Sequence, residues 1–263
     1  MNPGLDIGLN LHGVTVRFGG HVALSAVDLA APVGTITGLI GPNGAGKTTL
    51  FNVGNGLIRP AIGTVELFGR DVTRSSVSSR ARAGLGRTFQ QMEICNDMTV
   101  ARNVALGYEC RVIGNNPLRQ FVAGGSQRRL IAEHCDAAIH ACGLEELAGR
   151  RAGSLSVGQR RLLELARVIA GGFRLLLLDE PSSGLDETET RHFGSILQSV
   201  MRDHDLGILL VEHDMALVMS VCSDIYVLDF GTMIFHGDPA SVRDSDVVRS
   251  AYLGNDLEEA LRP

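Results

Sequence analysis

Lysine is almost absent from this 263-residue chain: of 24 basic residues, 23 are arginine and Lys47 is the single lysine. Cysteine is sparse as well. The five residues Cys95, Cys110, Cys135, Cys142 and Cys222 contain no C-x-x-C pair and no metal-ligand spacing with histidine. An odd count without a framework fits a reducing compartment. Cys135 and Cys142 fall on one face of a helical segment and read as small core residues. The longest wholly apolar run, residues 215–219, is far short of the ~20 residues that span a bilayer. The N-terminus has neither a basic n-region nor an apolar h-region, so no secretory leader is expected. Prolines number only 8, and 20% of residues are charged against 44% hydrophobic, which excludes a disordered chain. A net charge of −5 weighs against a strongly basic nucleic-acid binder. There is no internal repeat and no low-complexity segment.

What is present centres on Gly41-Pro42-Asn43-Gly44-Ala45-Gly46-Lys47-Thr48-Thr49. The apolar run 35–40 precedes it and Leu50-Phe51-Asn52-Val53 follows, which reads as strand, glycine loop and helix start. That context is what the G-x-x-x-x-G-K-[ST] pattern requires. Glycines let successive backbone N–H groups turn inward around phosphate oxygens, and the helix N-terminus adds its positive dipole end. Lys47 is then placed to reach the β- and γ-phosphates, and the Thr48 hydroxyl to ligate Mg²⁺. An arginine-rich chain keeps its one lysine where a compact ammonium must fit among phosphate oxygens.

The hydrophobic pattern supports an α/β fold of one large domain. Residues 9–18 and 22–29 alternate loosely and predict an antiparallel pair. Residues 64–69 predict a short strand, 75–83 a polar helix, and 86–90 a strand leaving the core. From about residue 92 the texture turns helical, with helices expected over 100–108 and 127–142 around a Gly/Asn/Pro-rich gap. Beyond it the pattern gives a helix at 157–170 and a buried strand at 174–178. A helix at 187–203, a strand at 206–211, a short helix at 216–221 and a hairpin split by Asp229-Phe230-Gly231 follow. Strands alternating with helices imply a mainly parallel sheet. The expected division is a nucleotide-binding core at about 1–90 and 157–237, an inserted helical subdomain at about 91–156, and a tail at 238–263.

Leu175-Leu176-Leu177-Leu178 delivers Asp179-Glu180 to the end of a buried strand. Behind a phosphate loop, the first carboxylate suits Mg²⁺ and the second suits polarisation of an attacking water. Leu155-Ser156-Val157-Gly158-Gln159 opens a basic amphipathic helix with Arg160, Arg161 and Arg167, and its serine cap marks a second phosphate-receptive helix start.

Together these motifs resemble the ATP-binding subunits of ABC transporters. Gly41 to Thr48 matches the Walker A loop, the strand ending at Asp179 the Walker B strand, and Leu155 to Gln159 the family's signature sequence. Phe18 stands where an aromatic stacks on adenine. Gln90 matches the Q-loop glutamine, with Gln91 beside it as the alternative. Ser183-Gly184-Leu185-Asp186 matches the D-loop, and His213 in Val211-Glu212-His213-Asp214 the switch histidine. The likeness runs from about residue 9 to residue 237. Within the family it is strongest to the ATPases of branched-chain (hydrophobic) amino-acid importers, through Arg17-Phe18-Gly19-Gly20, Arg87-Thr88-Phe89-Gln90 and the 247–254 tail.

The resemblance implies a phosphate-loop NTPase (RecA-like) core with a mainly parallel sheet, an N-terminal antiparallel β region and an inserted α-helical subdomain. It implies ATP and Mg²⁺ as ligands, with Mg²⁺ held by Thr48, Gln90 and Asp179, and Glu180, His213 and Gln90 as catalytic residues. Two such domains would face head to tail, with Ser156, Val157, Gly158 and Gln159 of one reaching the ATP of the other and Asp186 coupling the two sites. The implied partners are integral membrane permease subunits, a second ATPase subunit (identical or paralogous) and, indirectly, an extracytoplasmic solute-binding protein, with no nucleic acid. The implied location is the cytoplasmic face of the inner membrane. The alternatives are an ABC ATPase for another cargo and a soluble, non-transport ABC-type ATPase.

Overall fold

The computed structural model describes residues 8–88, 93–112 and 125–252. Ten strands and nine helices are seen among them. The chain opens with β1 (Leu9–Phe18) and β2 (His21–Ala31), an antiparallel pair turning at Gly19-Gly20. It then enters β3 (Ile36–Ile40), the phosphate-loop segment and α1 (Lys47–Asn55). β4 (Ile62–Leu67) and β5 (Arg70–Asp71) return to β1, which gives a four-stranded antiparallel sheet ordered β2-β1-β4-β5.

Next come α2 (Val77–Ala83) and β6 (Leu85–Arg87), followed by the long helices α3 (Val100–Val112) and α4 (Gly125–Ala141). Of the expected strand at 86–90, residues 89 and 90 lie outside the described residues, and the part up to Thr88 runs along the main sheet. β6 is the edge strand of the main sheet, parallel to β7, and the Thr88 amide continues the ladder by donating to the Leu177 carbonyl at 2.9 Å. The glycine-rich gap around residues 114–117, like Gln90 and Gln91, lies outside the described residues.

The core is completed by α5 (Val157–Ala170), β7 (Leu175–Asp179), α6 (Glu187–Asp203), β8 (Gly207–Val211), α7 (Met215–Val221), β9 (Asp224–Asp229) and β10 (Thr232–Gly237). Two short helices, α8 (Pro239–Asp244) and α9 (Asp246–Tyr252), sink Val242 and Val248 into the core. The main sheet is ordered β10-β9-β3-β8-β7-β6 and is parallel except for the β9–β10 hairpin.

The four leucines of β7 show why a continuous apolar run becomes a strand here. Leu176 and Leu178 pack into a cluster with the helices, whereas Leu175 and Leu177 join a second cluster with α1 and the antiparallel sheet. Only a strand buried on both faces uses its side chains this way. The ends of α5 and α6 are set by capping boxes. Ser156 pairs with Gln159 and Asp186 with Glu189, each satisfying two otherwise unpaired amides.

One side chain departs from the pattern expected of a polar α2. Arg80 is 1% exposed, and its guanidinium donates to the carbonyls of Val53 and Gly54 at 2.7 Å and of Val72 at 2.8 Å. It closes the C-terminal end of α1, where helix carbonyls lack internal partners. Arg161 on α5 is likewise buried rather than part of a basic face, in an ion pair with Glu164 at 3.0 Å. Cys135 and Cys142 are both buried, as their spacing suggested.

Candidate nucleotide site

Because β3, β8 and β7 are parallel neighbours, the loops leaving their C-terminal ends converge. Those loops carry the Gly41–Thr49 segment, Glu212-His213 and Asp179-Glu180 respectively. The C-terminal edge of a parallel sheet is where such folds bind ligands. A cleft of about 370 Å³ opens there, lined by Phe18, His21, Ala23, the loop from Asn43 to Thr49, Glu180 and His213.

The start of α1 sets this cleft apart. Gly46 is its N-cap at φ 104°, a left-handed conformation that favours glycine, and no side chain caps the helix. No acidic residue occupies the first turn. By contrast α2, α5, α6, α7 and α8 each begin with a serine or aspartate that accepts one of their own amides. The open N-terminus of α1 therefore presents free amides and a positive dipole end to the cleft, the chemistry that receives phosphate.

Lys47 stands on the first turn, 6% exposed, with its ammonium donating to the carbonyls of Gly41 at 2.6 Å and Pro42 at 3.0 Å. Burial pushes its pKa down, and the negative fields of Glu180 and Asp179 oppose that shift. All three groups thus share one electrostatic neighbourhood. Asp179 is 4% exposed at the end of β7, with its amide donating to the Thr88 hydroxyl at 3.4 Å and Arg87 3.9 Å from its carboxylate. Burial raises the Asp179 pKa despite Arg87. Glu180 and His213 meet directly, Oε1 to Nε2 at 2.8 Å. Phe18, half exposed at the end of β1, forms the outer wall.

Two neighbours were not singled out in the sequence. Glu212, 3% exposed, accepts from the Ser182 amide at 2.8 Å and the His213 amide at 3.1 Å. Arg87 ties Asp179 to α1 by donating to the Asn52 side chain at 2.9 Å. A charged residue directly after an apolar strand run was the available signal for Glu212.

The residues 156–159 lie elsewhere. Ser156, Gly158 and Gln159 border a separate cleft of about 280 Å³ with Leu185, Glu189 and His192, while Val157 is exposed. Gly158 packs beneath the Glu189 carboxylate, where an added Cβ would come within 2.6 Å. Asp186 caps α6 by accepting from the Glu189 amide at 2.8 Å. Gln90 falls outside the described residues.

The oxygen donors around the first cleft fit a hard cation. Thr48 lines it, and the Asp179 and Glu180 carboxylates act electrostatically on the lysine beside that threonine. Fold and cleft together define a phosphate-loop nucleotide-binding protein. The ABC transporter family profile matches residues 24–183. The high-affinity branched-chain amino acid transport ATP-binding protein BraF of Pseudomonas aeruginosa is 37% identical over 94% of this chain and 97% of its own length. The lipopolysaccharide export system ATP-binding protein LptB of Acidithiobacillus ferridurans is 33% identical over 90% of this chain and 93% of its own. Among solved structures, an ATP-binding cassette of an ABC transporter in its ADP conformation superposes with a TM-score of 0.83 at 26% identity, covering 95% of this chain and 99% of that one. The chain belongs to the ABC transporter family, as one of its ATPases.

Proposed function

We propose that the chain is the ATP-hydrolysing motor of an ABC importer for branched-chain amino acids or similar small polar solutes. The observation that carries this reading is the convergence of Lys47, Asp179, Glu180 and His213 at the ends of three adjacent parallel strands. The names of relatives such as BraF support the cargo class.

The open amides of α1 and the Lys47 ammonium hold the β- and γ-phosphates, with Lys47 exchanging the Gly41 and Pro42 carbonyls for phosphate oxygens. Asn43, Gly44, Ala45 and Thr49 complete the cradle, and Phe18 stacks on the base. Thr48, Asp179 and Gln90 hold Mg²⁺, which when bound neutralises charge on the phosphates. Glu180 accepts the proton of a water attacking the γ-phosphorus as the bridging bond to ADP breaks, and His213 orients the Glu180 carboxylate.

Ser156, Val157, Gly158 and Gln159 lie outside this cleft, which supports a head-to-tail arrangement in which they reach the ATP of a second ATPase subunit. Asp186 couples the two sites through the turn before α6. ATP then joins the two subunits, and its hydrolysis weakens the joint. Among the described residues no helix is long and apolar enough to cross a membrane, so the path for solute belongs to separate permease subunits. An extracytoplasmic binding protein acts through those subunits, and this chain sits on the cytoplasmic face. In this reading the nucleotide-binding core is about 1–90 and 157–237, the helical subdomain about 91–156 and the tail 238–263.

The test is affinity capture of the Glu180→Gln protein with ATP from detergent-solubilised membranes. Recovery of multispanning subunits is expected, and their identity defines the cargo. Recovery of ribosomal or nucleic-acid components alone would overturn the transport reading.

A further inference from the structure

The parallel ladder between β7 and β8 ends abruptly at the catalytic edge. Its last regular rung is the Glu180 amide donating to the Val211 carbonyl at 2.8 Å. Were the pairing to continue, the His213 amide would donate to the Glu180 carbonyl and the Ser182 amide to the His213 carbonyl. Neither bond forms, because Glu180 turns left-handed at φ 49° and the chain swings out through Pro181. Both amides go instead to one side chain, with Ser182 donating to Oε1 and His213 to Oε2 of Glu212. The carboxylate replaces two rungs of the sheet.

From this substitution we infer that Glu212 is a positioning residue for ATP hydrolysis, which sets the distance between Glu180 and His213. The inference rests on the roles proposed above for those two residues. Ser182 follows Glu180 by two positions and His213 follows Glu212 directly, so one rigid carboxylate grips both loops just behind the Glu180–His213 contact of 2.8 Å. A left-handed backbone at a non-glycine residue persists only where its surroundings hold it. The bond to Ser182 holds the Glu180 turn from the far side. Glu212 is buried and lines no part of the cleft, so it acts through its neighbours and not on nucleotide. Glutamine at this position has one acceptor oxygen and presents its NH₂ group to the other amide, so it can hold one loop but not both.

The test compares Glu212→Gln and Glu212→Ala with wild type in Mg-ATP turnover and nucleotide binding. Both variants should lower kcat by about tenfold or more while KM and ATP affinity stay within about twofold, the signature of lost transition-state geometry. A kcat within about twofold of wild type in both, or kcat and affinity falling together, overturns the inference. Amide exchange in the wild-type protein decides the matter if neither variant folds. The Ser182 and His213 amides should be protected together, and exchange as fast as that of exposed loop amides overturns the inference. A Glu180→Gln protein that loses turnover beside Glu212 variants that keep it would reject the role of Glu212 alone. A Glu180→Gln protein that keeps turnover would reject the reading on which it rests.

Discussion

Lys47 donates its ammonium to the carbonyl of Gly41 at 2.6 Å, so the single lysine of the chain closes the loop from which it springs. Burial that lowers its pKa enriches the neutral amine relative to a free lysine, with Glu180 and Asp179 resisting. Lys47 is therefore the one side chain that amine reagents can modify. Mg-ATP should protect it. Peptide mapping with and without nucleotide checks this, and equal labelling would contradict the site. Lys47→Arg should weaken ATP binding by about tenfold or more, because a planar fork does not fit where a compact ammonium sits.

Arg80 should prove to be a determinant of stability. Removing it takes the guanidinium donor from the Gly54 carbonyl and one of two donors from the carbonyls of Val53 and Val72, which keep the amides of Gly56 and Ser75. Arg80→Ala is expected to cost about 3 kcal/mol or more in urea unfolding, within the range for breaking a buried charged network. Lysine should rescue little, since one ammonium does not reproduce the two-sided fork. A change under about 1 kcal/mol would show that the α1 carbonyls find other partners.

The contrast between Arg80 and the capped helices shows what could be read in advance. The starts of α5 and α6 were legible because Ser156 and Asp186 act on residues three positions away. The loop around Lys47 and the acids after β7 were legible because their chemistry is compact in sequence. Arg80, by contrast, looks like one more charge on a polar helix, and its partners lie up to 27 residues away. The pairing of β6 with β7 was hidden for a similar reason: three residues cannot display which strand they will pair with. For Glu212 the one local signal was a charge directly after an apolar strand run, and that does not show that its carboxylate takes the amides of both Ser182 and His213.

Asp179 predicts a measurable exchange of stability for function. Its folded-state pKa is raised above 3.8 by burial, so the folded protein binds more protons at this group than the unfolded chain. Stability from Asp179 is therefore present at low pH and falls as pH rises from the ordinary value through the raised one. Asp179→Asn removes that loss. The stability of the variant relative to wild type should grow across this window and then level off, while ATP turnover is lost. Urea unfolding of both proteins across mildly acid pH checks the sign, and a difference independent of pH would contradict it.

The described cysteines should differ sharply in reactivity. Burial pushes the Cys135 thiol up to about 11 and drives Cys142 and Cys222 well up, whereas Cys95 is partly exposed. A thiol reagent applied to the native protein at mildly alkaline pH should modify Cys95 and spare the other three, read by peptide mass. Rapid modification of Cys222, which packs against β3 beneath Gly38, would indicate that the core opens under native conditions.

The central claim is that Glu180, held against His213 beside the phosphate loop, drives ATP hydrolysis. Phosphate release by wild type and Glu180→Gln under saturating Mg-ATP, with ATP binding and oligomeric state measured on the same samples, tests it most directly. The account predicts a loss of about 10²–10⁴ in turnover with ATP binding retained and an ATP-dependent dimer accumulating. Undiminished phosphate release by Glu180→Gln would contradict it.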